Sequence, residues 1–157
     1  MKIAAQVLDL AKSSSTMIAT AESCTGGMVA VALTDIPGSS AVVERGFVTY
    51  TNRAKVEMLG VSEATLAAHG AVSEAVAAEM AAGALAHSGA SLAVAITGIA
   101  GPGGSEFKPE GRVCFGLARA GQPTRSETVD FGALGRGRVR EAARDHALGL
   151  LLGALRD

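Results

Sequence analysis

Glu22-Ser23-Cys24-Thr25-Gly26-Gly27 follows a short apolar run and precedes a second one. That placement puts it where a strand should end and a helix begin. Two kinds of chemistry fit such a junction. The Ser23 hydroxyl is a nucleophile if a base takes its proton. The free N–H groups of a helix start, which glycines let a ligand approach closely, can hold an anion or stabilise an oxyanion. The same residues can instead be structural, as a polar cap and a tight turn.

Three further segments carry polar groups to predicted strand ends. Residues 47–55 place the Tyr50 phenol and the Lys55 amine just past a strand, where open α/β sheets bind ligands. A desolvated lysine loses its proton near neutral pH and becomes a base, whereas a solvated one does not. Thr97-Gly98-Ile99-Ala100-Gly101-Pro102-Gly103-Gly104 is a strand running into a glycine-rich loop. It lacks the Lys-Ser/Thr ending of a P-loop and the spacing of a dinucleotide fingerprint, so a ligand loop and an irregular connection both fit. Arg136, Arg138 and Arg140 open the last helix. They offer forked donors for phosphate or carboxylate, or form a solvated basic turn. Ser23, Lys55 and Tyr50 together suggest a serine hydrolase without histidine, the Ser–Lys variant of triad logic. There is no G-x-S-x-G and no Ser-His-Asp ordering.

The elements that must position these groups read as follows. Residues 3–12 form a helix with Ile3, Val7, Leu8 and Leu10 on its apolar side, and 17–20 a short strand. A helix with a polar cap before it covers 25–33, a turn 35–40, and a Val-, Phe- and Tyr-rich strand 42–51. Short helices follow at 54–59, ended by Gly60, and at 62–66, capped by Ser62. Ser73 caps a long Ala-rich helix over 73–87, stopped by Gly89. Residues 91–97 form an apolar strand buried on both faces. After the 98–111 loop, 112–119 and 124–131 read as a hairpin turning near Gly121. A closing helix spans 137–155, with Val139, Ala142, Ala143, Ala147, Leu150, Leu151 and Leu155 toward the core. Helices interleaved with four or five strands predict an α/β fold, a three-layer α/β/α sandwich. The hairpin makes its sheet mixed, though mostly parallel. One domain over 1–157 is expected, since 157 residues can bury a sizeable core.

Composition narrows the function. The formal net charge is −1, aromatics are 3% and Trp is absent, which argues against direct nucleic-acid contact. Cys24 and Cys114 lie far apart with no metal spacing, and His69, His87 and His146 are scattered. No metal or cofactor is expected, and a reduced, cytoplasmic setting is. No apolar run is long enough to span a membrane, and the first ten residues read as a helix rather than a leader. The Ala- and Gly-rich 73–87 helix suggests packing against a second copy, hence a homo-oligomer, a homodimer in the first instance.

Taken together, the segments resemble the CinA C-terminal domain family, which includes stand-alone nicotinamide-nucleotide amidases. The matching text is TAESCTGG at 20–27, DIPGSS at 35–40, RGFVTYTNRAK at 45–55, MLGV at 58–61, HGAVSE at 69–74, TGIAGPGG at 97–104, and Lys108-Pro109 with Gly111 in a KPxG pattern. The resemblance runs from about residue 8 to 152. It implies hydrolysis of the carboxamide of nicotinamide mononucleotide to nicotinate mononucleotide and ammonia, without a cofactor and in pyridine-nucleotide salvage. It implies a chain of the stand-alone type, without the larger N-terminal domain of fused members.

It also implies a catalytic set of Ser23, Lys55 and Tyr50. Substrate contacts would come from Glu22, Cys24, Thr25, Gly26 and Gly27, and from Ser39. Thr97, Gly98, Gly101, Gly103 and Gly104 would supply more, with Arg136 or Arg140 on the phosphate. The chain departs from the pattern at Gly135, where aspartate is usual, and over 105–112, where Phe107 and Arg112 replace polar or small residues. These departures bear on substrate preference more than on the nucleophile. Two other functions stay open: a catalytically silent module that binds a pyridine nucleotide, and an accessory protein linked to competence or DNA damage.

Overall fold

A computed structural model describes residues 2–157. Chain order is α1 (Ile3–Ser13), β1 (Ile18–Glu22), α2 (Met28–Thr34), β2 (Val43–Val48), α3 (Asn52–Leu59), α4 (Glu63–His69), α5 (Glu74–Ala86), β3 (Leu92–Gly98), β4 (Arg112–Arg119), β5 (Arg125–Asp130) and α6 (Arg136–Arg156), with a 3-10 turn at Ser39–Ala41 before β2. The helix and strand types are those expected, most shifted by one to three residues at their ends.

The five strands form one sheet in the order β2-β1-β3-β4-β5. β1 pairs in parallel with β2 and with β3, while β3–β4 and β4–β5 are antiparallel. Four of the five strands therefore point the same way, and β4 alone is reversed. From β1 the chain moves outward to β2, then returns past β1 to β3. Crossovers of one hand that run in opposite directions place their helices on opposite faces. Accordingly α2 packs with α1 and α6, whereas α5 packs on β1, β3 and β4. That gives three layers.

The two faces are built differently. On the α1/α2/α6 side the core is made of larger residues, among them Val7, Leu8, Ile18, Leu33, Leu92, Val94, Ile96, Phe115 and Leu151. On the α5 side the strands contribute mainly alanines, Ala19, Ala21, Ala93, Ala95 and Ala118. Helix α5 lies close against them. A Cβ added at Gly116 would sit 2.2 Å from the Ala77 carbonyl oxygen, and one at Gly83 2.0 Å from that of Leu59. Ala77, Ala81, Gly83 and Ala84 of α5 are thus used inside the chain, under α3 and over the sheet. On α6 the buried set is Val139, Ala143, Ala147, Leu148, Leu151, Leu152 and Ala154. Val139, Ala143, Ala147 and Leu151 are buried as expected, Leu150 and Leu155 pack against the same core while partly exposed, and Leu148 and Leu152 widen the buried stripe.

Caps account for several helix starts. Ser62, Ser73 and Thr51 each accept from an N–H three residues on. Helix α2 departs from expectation: its first flanking residue is Gly27 at φ 108° and no adjacent side chain caps it. Instead Glu22, the last residue of β1, folds under the helix. Its two carboxylate oxygens accept from Val29 N at 2.9 Å and Ala30 N at 3.1 Å. A carboxylate at a helix N-terminus also meets the positive end of the helix dipole.

Candidate active site

β1 and β2 send their chains to opposite faces of the sheet, so a crevice opens beyond their carboxyl ends. The backbone is pinned there on both sides. Ser23 N donates to Ile96 O of β3 at 2.9 Å, and Thr49 N donates to Glu22 O at 2.9 Å. Ser23 is thereby held just past the carboxyl end of β1, and the residue is 8% exposed.

Lys55 sits in the first turn of α3, whose start is fixed by the Thr51 cap. Its side chain runs back into the protein and is 1% exposed, making it the largest of the fully buried side chains. Nζ lies 3.1 Å from Ser23 Oγ, 3.1 Å from Thr49 O and 3.5 Å from Tyr50 O. None of the ion pairs among the described residues includes it. Burial lowers the lysine pKa from its ordinary 10.5, opposed by weaker attraction from Cys24 and Glu106. The Cys24 contribution vanishes at neutral pH, because burial pushes that thiol up to about 11 and keeps it uncharged.

Ser23 and Lys55 face a cavity of about 380 Å³. Tyr50, Asn52, Thr97, Arg136 and the 98–106 loop complete its wall. Thr97, near the end of β3, donates its hydroxyl to Ala71 O at 2.9 Å and is 1% exposed. In the loop, Gly101 adopts φ 91°, and a Cβ there would meet the Glu110 carboxylate at 2.6 Å. Glu110 in turn accepts from Gly103 N at 2.6 Å and Gly135 N at 3.3 Å, tying the loop to the start of α6. Arg136 bridges the mouth: Nη1 donates to Gly101 O and Nη2 to Tyr50 Oη, each at 2.7 Å.

Of the residues expected at the site, the structure brings Ser23, Cys24, Tyr50, Lys55, Thr97, Gly98, Gly101, Gly103, Gly104 and Arg136 to this one cavity. Others it places elsewhere. Glu22 is 1% exposed with both oxygens under α2. Thr25 is fully buried. Gly26 and Gly27 line a separate groove with Met28, Val31 and Arg144. Ser39 lies in the turn that enters β2, at the opposite end of that strand from Tyr50. Arg140 binds backbone rather than bordering the cavity. Tyr50 is present, but it is its carbonyl that faces Lys55, while the phenol, on a residue 56% exposed, pairs with Arg136. Sequence reasoning missed Asn52, Glu106 and Glu110. The first lies inside the RGFVTYTNRAK text; the two acids are ordinary loop residues until the fold brings them in.

The chain belongs to the CinA C-terminal domain family, whose pattern matches residues 1–155. Its α/β fold is that of solved family members. It superposes on the competence/damage inducible protein CihA from Agrobacterium tumefaciens with a TM-score of 0.94 at 48% identity, covering 99% of this chain and 94% of that one. It is 59% identical over 121 residues to the nicotinamide-nucleotide amidohydrolase PncC of Escherichia coli K12, covering 76% of this chain and 73% of that protein. It is 53% identical over 150 residues to a CinA-like protein of Chloroherpeton thalassium, covering 91% of this chain and 36% of the relative. The chain thus spans about a third of the length of some of the CinA-like relatives it matches. Among the described residues, no helix is long and apolar enough to cross a membrane.

Proposed function

We propose that this chain is an amidohydrolase that converts nicotinamide mononucleotide to nicotinate mononucleotide and ammonia. The observation that carries the reading is the buried Lys55 amine, without a carboxylate partner, 3.1 Å from the Ser23 hydroxyl. A neutral amine has two N–H donors and one lone pair. With the Thr49 and Tyr50 carbonyls as acceptors for those two donors, the neutral amine keeps its lone pair for the Ser23 proton; the hydroxyl's other acceptor within reach is Tyr50 O at 3.5 Å.

Ser23 Oγ adds to the carboxamide carbon as Lys55 takes the hydroxyl proton. The resulting oxyanion takes a hydrogen bond from the Cys24 N–H at the cavity wall; the Gly26 N–H is already taken by the Ser23 carbonyl. Collapse breaks the C–N bond, Lys55 returns its proton to nitrogen, and ammonia leaves. Water then attacks the acyl ester, Lys55 takes its proton, and Ser23 is released with the carboxylate product. Arg136 at the mouth meets the phosphate, held there by Tyr50 and the Gly101 carbonyl. In this reading no cofactor takes part, the product enters pyridine-nucleotide salvage, residues 1–157 act as one domain, and the protein works in the cytoplasm as a homo-oligomer. The similarity to an amidohydrolase acting on nicotinamide nucleotides supports the substrate.

The test is ammonia release from nicotinamide mononucleotide by the wild-type chain and by Ser23→Ala. Turnover that Ser23→Ala abolishes is expected. Binding measured by calorimetry with no ammonia from the wild type would make the chain a silent binding module. Full turnover by Ser23→Ala would remove the nucleophile.

A further inference from the structure

Arg140 projects from the second turn of α6 and is half-buried. It lies behind the turn that carries Ser23. Nε donates to the Cys24 carbonyl at 3.0 Å, and Nη2 to the Thr25 carbonyl at 3.4 Å. These are the two carbonyls that follow Ser23 in the chain. Gly26, at φ 56°, leaves room for the guanidinium: a Cβ there would sit a tight 3.3 Å from Nη2. Helix α6 is itself fixed by Val139, which is 0% exposed, and packs against α2.

A rigid, forked guanidinium on two successive carbonyls holds two peptide planes at once; the Thr25 carbonyl also accepts from Met28 N at 3.0 Å, so the Cys24 carbonyl is the one that depends on Arg140. In a trans peptide the C=O and N–H point in opposite directions, so holding these carbonyls also aims the Thr25 and Gly26 N–H groups. The Gly26 N–H then closes the turn onto the Ser23 carbonyl at 3.0 Å. Arg136, four residues earlier, faces the cavity instead.

We propose that Arg140 is a positioning residue: it braces the Ser23–Gly27 turn, whose Gly26–Ser23 bond fixes the Ser23–Cys24 peptide, so that the nucleophile and the Cys24 N–H are aimed, and it does not hold the substrate. The phosphate contact falls to Arg136 alone. This rests on the amidase reading above. Displacing a reacting group by about 1 Å can cost about a hundredfold in rate, which sets the expected effect.

The experiment compares wild type, Arg140→Gln, Arg140→Lys and Arg136→Gln. Ammonia release is measured with nicotinamide mononucleotide and with nicotinamide riboside, which lacks the phosphate. The rate of Ser23 modification by a fluorophosphonate is measured by intact mass, and circular dichroism checks folding. Arg140→Gln should lower kcat about a hundredfold by the same factor on both substrates, leave KM nearly unchanged, and slow Ser23 modification. Arg140→Lys should recover only part of the rate, because a point charge cannot span two carbonyls. Arg136→Gln should raise KM for the mononucleotide only. The brace is overturned if Arg140→Gln raises KM for the mononucleotide alone, or if Ser23 in it is modified at the wild-type rate. Were Arg140→Gln to unfold, the same readings on Arg140→Lys decide. If the wild type releases no ammonia from either compound, the amidase reading fails. The modification rates still judge the brace in that case: slower in the Arg140 variants upholds it, equal overturns it.

Discussion

Lys55 is an amine in a place that gives it hydrogen-bond acceptors but no counter-ion. Two backbone carbonyls and a hydroxyl surround Nζ, and burial favours the uncharged form. Two predictions belong at this scale. Lys55→Met should lower kcat by about 10²–10⁴-fold, the usual worth of a general base, read by ammonia release at neutral pH. The wild-type rate should rise with pH and level off below the ordinary lysine value of 10.5, because the base is active only when neutral and its pKa is lowered. Stability follows the same titration. Between the lowered folded pKa and 10.5 the unfolded chain carries a proton that the folded chain lacks. Wild-type stability should therefore rise with pH across that window. Lys55→Met should lose this slope, checked by urea unfolding at a series of pH values. The pairing of Ser23 with Lys55 was legible as residue types near strand ends; the lysine's burial was not, because desolvation depends on what packs around a side chain.

At the scale of elements, the α2 start shows how local chemistry and fold divide the work. Two consecutive left-handed glycines, Gly26 at φ 56° and Gly27 at φ 108°, turn the chain sharply into α2. That leaves no side chain placed to cap the helix, and Glu22 supplies the acceptors from the strand before it. Glu22→Ala would remove the cap and leave two N–H groups without acceptors. The expected loss is about 2 kcal/mol, read as a lower urea midpoint with an unchanged slope. Glu22→Gln keeps one acceptor and should lose about half as much. The family resemblance implies a place for Glu22 among the substrate contacts. Strand alternation decides otherwise: Glu22 follows Ile18 and Thr20 on the α2 side of the sheet, and its carboxylate reaches the helix rather than the cavity.

Across the whole molecule, the site depends on how closely α5 and α3 sit on the sheet. Gly83 in α5 lies under the last residue of α3, where a Cβ would be 2.0 Å from the Leu59 carbonyl. Gly83→Ala sets two effects against each other. Helix propensity gains about 1 kcal/mol, while forcing a carbon into a packed contact with backbone costs about 1–3 kcal/mol. Backbone cannot rotate aside as a side chain can, so the upper end of that cost applies. The net loss should be about 2 kcal/mol, a fall in Tm on the order of 6 °C by scanning calorimetry. Because α3 carries Lys55, the same variant should also lower kcat. The 73–87 segment read as a surface for a second copy for the same reason that it packs so well internally: small residues allow close approach, and sequence does not say to what.

The sequence by itself determined the alternation of helices and strands, the mixed sheet, and the residue types of the site. Periodicity, turn chemistry and ordered motifs are local and survive in one dimension. Only the tertiary structure decided which of those residues share a cavity. It gathered Ser23, Lys55, Thr97 and Arg136 from four separate segments at one end of the sheet. It set Ser39 at the far end, turned Glu22 under a helix, and placed Arg140 behind the nucleophile turn. Side-chain direction, burial and distance depend on strand order and layer packing, which join residues far apart in the chain.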